Sequence, residues 1–520
     1  MNPALAESIV AAASLEIAGR REEALDELCR ARAAGSPSPQ LLSAIGHLQF
    51  EFGNFTAAGR TYEEAIALDR GDCTNRYNRA VCLERLGAWN EAAAEFQQVV
   101  EADPRRANAY LGLGISQLRL GRPEQALQSF EKCLERQPFR DAALRGQAVS
   151  LHLLQRYAEA SEAYQKLLSR DPQSEELLVN VVSLSIACGD YEQLSRWSQR
   201  LLAIQPASTL ALEGAALAAF ARRDFDAAHG WCSTLVNAHP LHFAGWFNLG
   251  VACQKQGLYE QAANAYTRAV TLDPEAAEAF LSLGTALHEL ERWSEARTAY
   301  ERALALNPHL KTALWNLGLL CETRNELRSA RNLYATLVEQ YPDAQDAWFR
   351  LGFVLLQLDE IPASIRAFET CLGLPKKYPE AQLNIGTAYW KARNLEMAKE
   401  TLRQALGSGA RSAEALRYLA AIALEQQDYE QALKLHKQLL ELDSPTSDLL
   451  YNLALLSQKR GRLSDAVRYY RQALSLRPEF PQAQVNLGHA LLSLGKHDEA
   501  QAAWQAAIRG NVELAAQFLV

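Results

Sequence analysis

Seven of the chain's 19 asparagines, Asn78, Asn180, Asn248, Asn316, Asn384, Asn452 and Asn486, are separated by multiples of 34 residues. Asparagine is a mediocre helix former, yet it recurs inside apolar runs such as WFNLG at 246–250 and LWNLG at 314–318. A primary amide carries both donors and an acceptor, which is what an extended peptide backbone presents at every residue. A row of such amides at constant spacing would hold a strand-like segment while reading little of its sequence.

Other residue types with chemical potential lead nowhere comparable. GLGISQ at 112–117 lies inside a helical pattern and lacks the third glycine, the strand and the acidic residue of a dinucleotide loop. GSGAR at 407–411 is followed by no Lys-Ser or Lys-Thr. His239 and His242 flank Pro240 without a third ligand for a metal. No GxSxG, HExxH or Walker sequence is present, and the carboxylates are spread along helical patterns as solvated charge. The reading is a chain that is not an enzyme and needs no cofactor.

The asparagines belong to a period that fills the chain. One column reads Gly46, Gly114, Gly250, Gly284, Gly318, Gly352, Gly386 and Gly488, with alanine at most other positions and Val182 as its larger exception. A second is alanine from Ala24 through Ala500, broken by Leu194 and Ser364. A third is proline from Pro104 to Pro342 at every unit, returning at Pro478. Tyr62, Phe96, Phe130, Tyr164, Tyr266, Tyr300, Tyr334, Phe368 and Tyr470 share a fourth. Each unit holds two apolar-periodic runs, hence two helices (A, then B) closed by proline. Small residues let the helix backbones approach closely.

This pattern resembles tetratricopeptide repeats. The resemblance implies an all-α, right-handed superhelical solenoid of about fifteen 34-residue helix-turn-helix repeats. The expected layout is an extension at 1–4, repeats over 5–514, and the start of a further helix or a tail at 515–520. Numbering each unit from residue 5 puts the glycine column at position 8 and the asparagines at position 6. At about 100° per residue, positions 4, 7, 8 and 11 cluster on one side of helix A and position 6 lies roughly opposite. In the family that opposite stripe lines the concave wall, so the asparagines are expected to face solvent there.

The column is similar to the asparagine array in the repeats of the O-linked N-acetylglucosamine transferases, which clamps a substrate peptide. The catalytic domain of those enzymes has no counterpart here. Position 9 lacks the asparagine that chaperone-tail adaptors use. Phe247, Trp315, Phe349, Phe353 and Trp390, at positions 5, 9 and 12, complete the candidate peptide-binding set. They are anchors if exposed and packing residues otherwise.

Composition narrows the partners. With 53 Lys and Arg against 61 Asp and Glu, the net charge of −8 offers no basic face for nucleic acid and no polybasic patch for a membrane. No apolar run is long enough to span a bilayer. The opening MNPALAESIV lacks a basic n-region, so a secretory signal is not expected. Nine scattered cysteines without metal-ligand spacing read as reduced thiols in a cytoplasmic protein, Cys133 and Cys371 among them in core columns. The function expected is an adaptor or scaffold that binds extended segments. The alternatives are the recognition arm of a glycosyltransferase-like machine, or a solenoid that self-assembles through its last repeat, where AAQFLV at 515–520 opens another apolar helix.

Overall fold

The computed structural model describes residues 3–35, 37–138, 140–376, 378–407, 412–442 and 444–509. The expectations for AAQFLV and for most of GSGAR fall outside them. Among the described residues there are thirty α-helices and no strand. Helix A of the first repeat begins at Pro3, two residues into the expected extension. The chain divides into two compact units, Met1–Leu258 and Tyr259–Val520. The first contains the helices from Pro3–Ile17 to Phe243–Lys255, the second those from Tyr259–Leu272 to His497–Ile508. Within each unit every helix packs on the next in the chain, and several A helices also touch the A helix of the following repeat. The fold is thus all-α, a solenoid of helix pairs with short-range contacts.

The turn between the two helices is set by one backbone torsion. Position 15 has positive φ in all fifteen repeats: eight times at glycine, as Gly53 (76°), and seven times at other residues, including Glu291 (58°) and Asn325 (60°). The next amide then bonds back to the carbonyl of position 11, as Asn54 N to Gln49 O at 2.9 Å and Arg292 N to Leu287 O at 2.9 Å. This is the reversal that closes a helix through a left-handed residue. The position-15 glycines, Gly19, Gly53, Gly87, Gly121, Gly189, Gly257, Gly461 and Gly495, therefore mark a geometry that seven repeats keep without glycine.

Close approach of the helices explains the other columns. The alanines of position 20, from Ala24 to Ala500, are fully buried. Where position 8 is glycine, an added Cβ would lie 2.7 Å from the Tyr62 ring at Gly46, 2.7 Å from Phe130 at Gly114 and 2.6 Å from Tyr300 at Gly284. The aromatic of position 24 lies directly against the backbone of helix A at position 8. The two departures are compensated. Ser364, in place of alanine, donates its hydroxyl to Gly352 O at 2.7 Å. In repeat 6, Val182 and Leu194 are both fully buried and the aromatic column holds only Ser198, so volume is redistributed rather than added.

Replacing Ala296, which is fully buried, by leucine should overpack one helix pair at a cost of about 1–3 kcal/mol. Amide exchange should accelerate over 277–310 and stay slow over 447–508, since each repeat leans on its neighbours alone. Loss of protection spread evenly along the unit would contradict this.

Candidate functional site

Position 6 does not sit on a free face. The ring of position 24 passes over position 8 of its own repeat and reaches position 6 of the next. A Cβ at Gly112 would lie 2.4 Å from Phe96 Cζ, and one at Gly146 2.3 Å from Phe130 Cζ, each contact crossing a repeat boundary. Helix A has two packing sides, one on its own helix B and one on the preceding helix B, and position 6 lies on the second. The expectation that the asparagines face solvent is corrected accordingly. Asn78, Asn180, Asn248, Asn316, Asn384 and Asn486 are half-buried, and Asn452 is exposed.

The asparagines separate into two sets. Asn78 faces the Tyr62 phenol and favours its ionised form, against the burial that pushes its ionisation far above the ordinary range. Asn316 donates its Nδ2 to Thr285 Oγ1 at 3.5 Å and acts in the same sense as Asn78 on the Tyr300 phenol, itself raised by burial. Asn486 Nδ2 donates to the Tyr451 hydroxyl at 2.9 Å. These three amides face polar groups of the preceding repeat. For Asn180, Asn248, Asn384 and Asn452 no side-chain hydrogen bond is found among the described residues.

A pattern that the sequence carries, and that a column-by-column reading misses, follows from this contact. The six tyrosines at position 24, Tyr62, Tyr164, Tyr266, Tyr300, Tyr334 and Tyr470, are followed at position 6 by Asn78, Asn180, Ser282, Asn316, Arg350 and Asn486, all polar. Phe96 and Phe130 are followed by Gly112 and Gly146. Each tyrosine of the column is thus followed by a polar residue, and two of the three phenylalanines by glycine, the exception being Phe368 with Asn384. At Tyr334 the polar residue is ionic. Its hydroxyl donates to Glu322 Oε2 at 3.1 Å while Arg350 holds Glu322 Oε1 at 2.9 Å.

The aromatic candidates are packed. Phe247, Trp315, Phe349, Phe353 and Trp390 are all half-buried. Trp315 lies against Tyr334 (centroids 6.0 Å apart), and Phe349 against Phe368 (6.0 Å) and Tyr378 (5.2 Å). Phe247 stacks on Phe243 at 6.1 Å. Phe353 joins the cluster around Phe368. Trp390 meets Tyr418 at 5.6 Å and donates its indole N–H to Glu425 Oε1 at 3.1 Å. Trp315 and Phe349 pack because position 5 faces the ring at position 24, so of the two readings the geometry favours packing. Trp315 keeps one open side, the wall of a cavity of about 220 Å³ shared with Lys311, Thr312 and Asp346. Hydrogen bonding from Tyr378, aided by Lys376, holds the Asp346 carboxyl below its usual range.

The remaining residues of chemical interest have structural partners. His239 Nε2 lies 2.7 Å from Ala207 O. His242 caps a helix by accepting from Gly245 N at 3.0 Å, with Glu213 3.3 Å from its other nitrogen. Cys82, Cys133, Cys232, Cys253, Cys321 and Cys371 are buried, and burial raises the Cys82 and Cys371 thiols to about 11 and Cys232 to about 12. They are protonated packing residues at neutral pH.

Models of the tetratricopeptide repeat match residues 72–175, 213–408 and 411–512 in overlapping segments. The chain belongs to the tetratricopeptide repeat family. The unmatched interior stretch, 176–212, is the repeat in which Val182 and Leu194 replace both small residues. A comparison with curated proteins returned no match. Among solved structures, the chain is similar to YrrB, described as a tetratricopeptide repeat protein with an unusual peptide-binding site. Identity is 21%, coverage is 36% of this chain and 96% of that one, and the TM-score is 0.34. A tetratricopeptide repeat protein from Parabacteroides merdae is 16% identical over 51% of this chain and 98% of its own, with a TM-score of 0.34. The structure of Naa15/Naa10 bound to HypK-THB matches at 13% identity over 99% and 96%, with a TM-score of 0.36. No helix among the described residues is long and apolar enough to cross a membrane.

The two sets of asparagines should respond oppositely to truncation. Asn316→Ala strips a partner from the buried Tyr300 phenol and should destabilise by about 1 kcal/mol. Asn384→Ala should be neutral or slightly stabilising, because alanine is the better helix former. Urea unfolding of both single variants checks this; equal losses would show that Asn384 also holds the repeats together.

Proposed function

We propose that this tetratricopeptide repeat protein is a non-catalytic scaffold that holds extended peptide segments along the A-helix face of its repeats. The amides left without an internal partner provide the backbone contacts. One observation carries the reading: four of the seven position-6 asparagines make no hydrogen bond within the described chain, although a better helix former would fit each site. The peptide-contact set is Asn180 and Asn248 in the first unit and Asn384 and Asn452 in the second. Asn78, Asn316 and Asn486 are spoken for by their own fold. The reading places the partner in the class of protein segments without secondary structure, and it assigns no chemistry to any carboxylate, thiol or imidazole.

The test begins with selection of random 15-residue peptides on the immobilised full chain, followed by affinity measurement for the selected peptides in solution. Asn384→Ala combined with Asn452→Ala removes two amides within one unit. At about 0.5–1.5 kcal/mol for each unpaired backbone group, the pair should weaken binding by roughly five- to a hundredfold. Unfolding should be unchanged. Undiminished binding by the double variant would remove these asparagines from the mechanism.

A further inference from the structure

Repeat 13 has neither tyrosine nor phenylalanine at position 24. Its position 24 is His436, and the position 6 that follows is Asn452, the exposed member of the column. His436 is 7% exposed. Its Nδ1 lies 2.9 Å from Ala432 O, one helical turn back on its own helix Tyr429–Leu442. That bond draws the imidazole toward its own helix instead of across the boundary, where the tyrosines of other repeats reach. Position 32 is Ser444 rather than proline. The space so opened is a cavity of about 370 Å³ between the A helices Ser412–Glu425 and Ser447–Lys459.

The lining is that of a side-chain pocket. Ala420, Leu424, Leu439 and Leu449 supply apolar walls, with Asn452 and His436 among the polar groups. Asp448 at the rim is engaged by Arg477 at 2.8 Å. Thr446 accepts from Leu449 N as a helix cap. The bond from Nδ1 to a carbonyl requires a proton on Nδ1, so Nε2 is an acceptor in the neutral ring. Burial disfavours the charged ring. Nε2 has no hydrogen-bond partner among the described residues and is not fully buried, and His436 lines the cavity. The pocket therefore offers an acceptor on a nine-tenths buried ring and an unused amide, over apolar walls. A cavity of about 150 Å³ already suffices for benzene.

We infer that this cavity receives a tyrosine side chain from the bound peptide, its phenol donating to His436 Nε2 and accepting from the Asn452 amide. The chain itself supplies the precedent, since the position-6 amide of Asn486 donates to the Tyr451 phenol at 2.9 Å and those of Asn78 and Asn316 face the phenols of Tyr62 and Tyr300. At repeat 13 the amide is in place and the internal phenol is not. The inference rests on the A-face peptide reading, and it adds selectivity to a set of contacts that otherwise reads backbone.

The probe is p-cresol, the tyrosine side chain alone, added to the full chain labelled with ¹⁵N-histidine. The His436 signals are assigned by their loss in His436→Tyr. Saturable movement of the Nε2 signal is expected, with p-cresol binding about tenfold tighter than toluene in competition, the effect of one to two neutral hydrogen bonds. His436→Tyr, which restores the column, should abolish p-cresol binding. Asn452→Ala, an exposed site that leaves folding intact, should reduce the preference over toluene several-fold. No response of Nε2 up to the solubility limit of p-cresol would overturn the inference, as would toluene binding equally well. Peptides from the selection should be enriched in tyrosine and lose that enrichment on His436→Tyr. Peptides that need Asn384 but show no tyrosine preference would overturn the pocket and leave the A-face reading standing. A p-cresol response with no peptide bound at all would overturn the A-face reading and confine the result to a phenol site.

Discussion

One contact organises the solenoid: the aromatic ring at position 24 pressed against the backbone of helix A. It requires glycine or alanine at position 8, because a larger side chain would occupy the volume of the ring itself, as the 2.7 Å approach to Tyr334 at Gly318 shows. It also requires alanine at position 20, where the helices cross. The length of the ring then carries its tip across the repeat boundary, so the same contact dictates what position 6 of the next repeat can be. Dispersion and apolar burial supply the stabilisation, while the phenol hydroxyl adds a directional demand that a phenyl does not. Repeat 6 shows the dependence from the other side. With Ser198 in the ring's place, position 8 is free to be Val182 and position 20 to be Leu194.

The period, the two helices per repeat, the small columns and the closing proline could all be read from residue types at fixed spacing, because each reflects a local steric rule repeated fifteen times. The left-handed turn was visible only where it holds glycine. At Gln155, Arg223 and Glu291 the backbone keeps positive φ because the surrounding helices impose it, and no residue-type signal announces that. Position 6 was misplaced for a different reason. A helical wheel divides one helix into a buried and an exposed side, but helix A is packed on two sides by two different B helices. The partner of Asn316 lies on a residue 16 positions earlier in another repeat, Tyr300, and that relation appears only when columns are compared across the boundary. The aromatics at position 5 were ambiguous from the sequence, since a ring beside a groove and a ring beside another ring have the same spacing.

Proline plays a part that its usual role in stopping helices does not suggest. Its carbonyl, left outside the helix, is taken up by a side chain of the following helix B. Arg136 donates to Pro104 O at 2.7 Å, Arg200 to Pro172 O at 2.6 Å and Arg302 to Pro274 O at 3.2 Å. Trp246 and Trp348 reach Pro240 O and Pro342 O from helix A, each at 2.9 Å. The turns between repeats are thereby tied to the next repeat by groups that are individually worth little at an exposed site but recur at most of the junctions that hold this proline.

The pairing of position 24 with position 6 also bears on how such a chain can be cut and rejoined during its ancestry. A 34-residue unit counted from helix A to helix B separates each tyrosine of position 24 from the polar residue of position 6 that follows it. A unit counted from the left-handed turn of one repeat to that of the next keeps the two together. Duplications or exchanges with ends at position 15 carry a matched pair intact into any new neighbourhood. Those with ends at the proline turn bring a phenol against whatever position 6 happens to follow. The unit that keeps these neighbours together is accordingly helix B with the next helix A, half a period out of step with the unit that the glycine and proline columns mark.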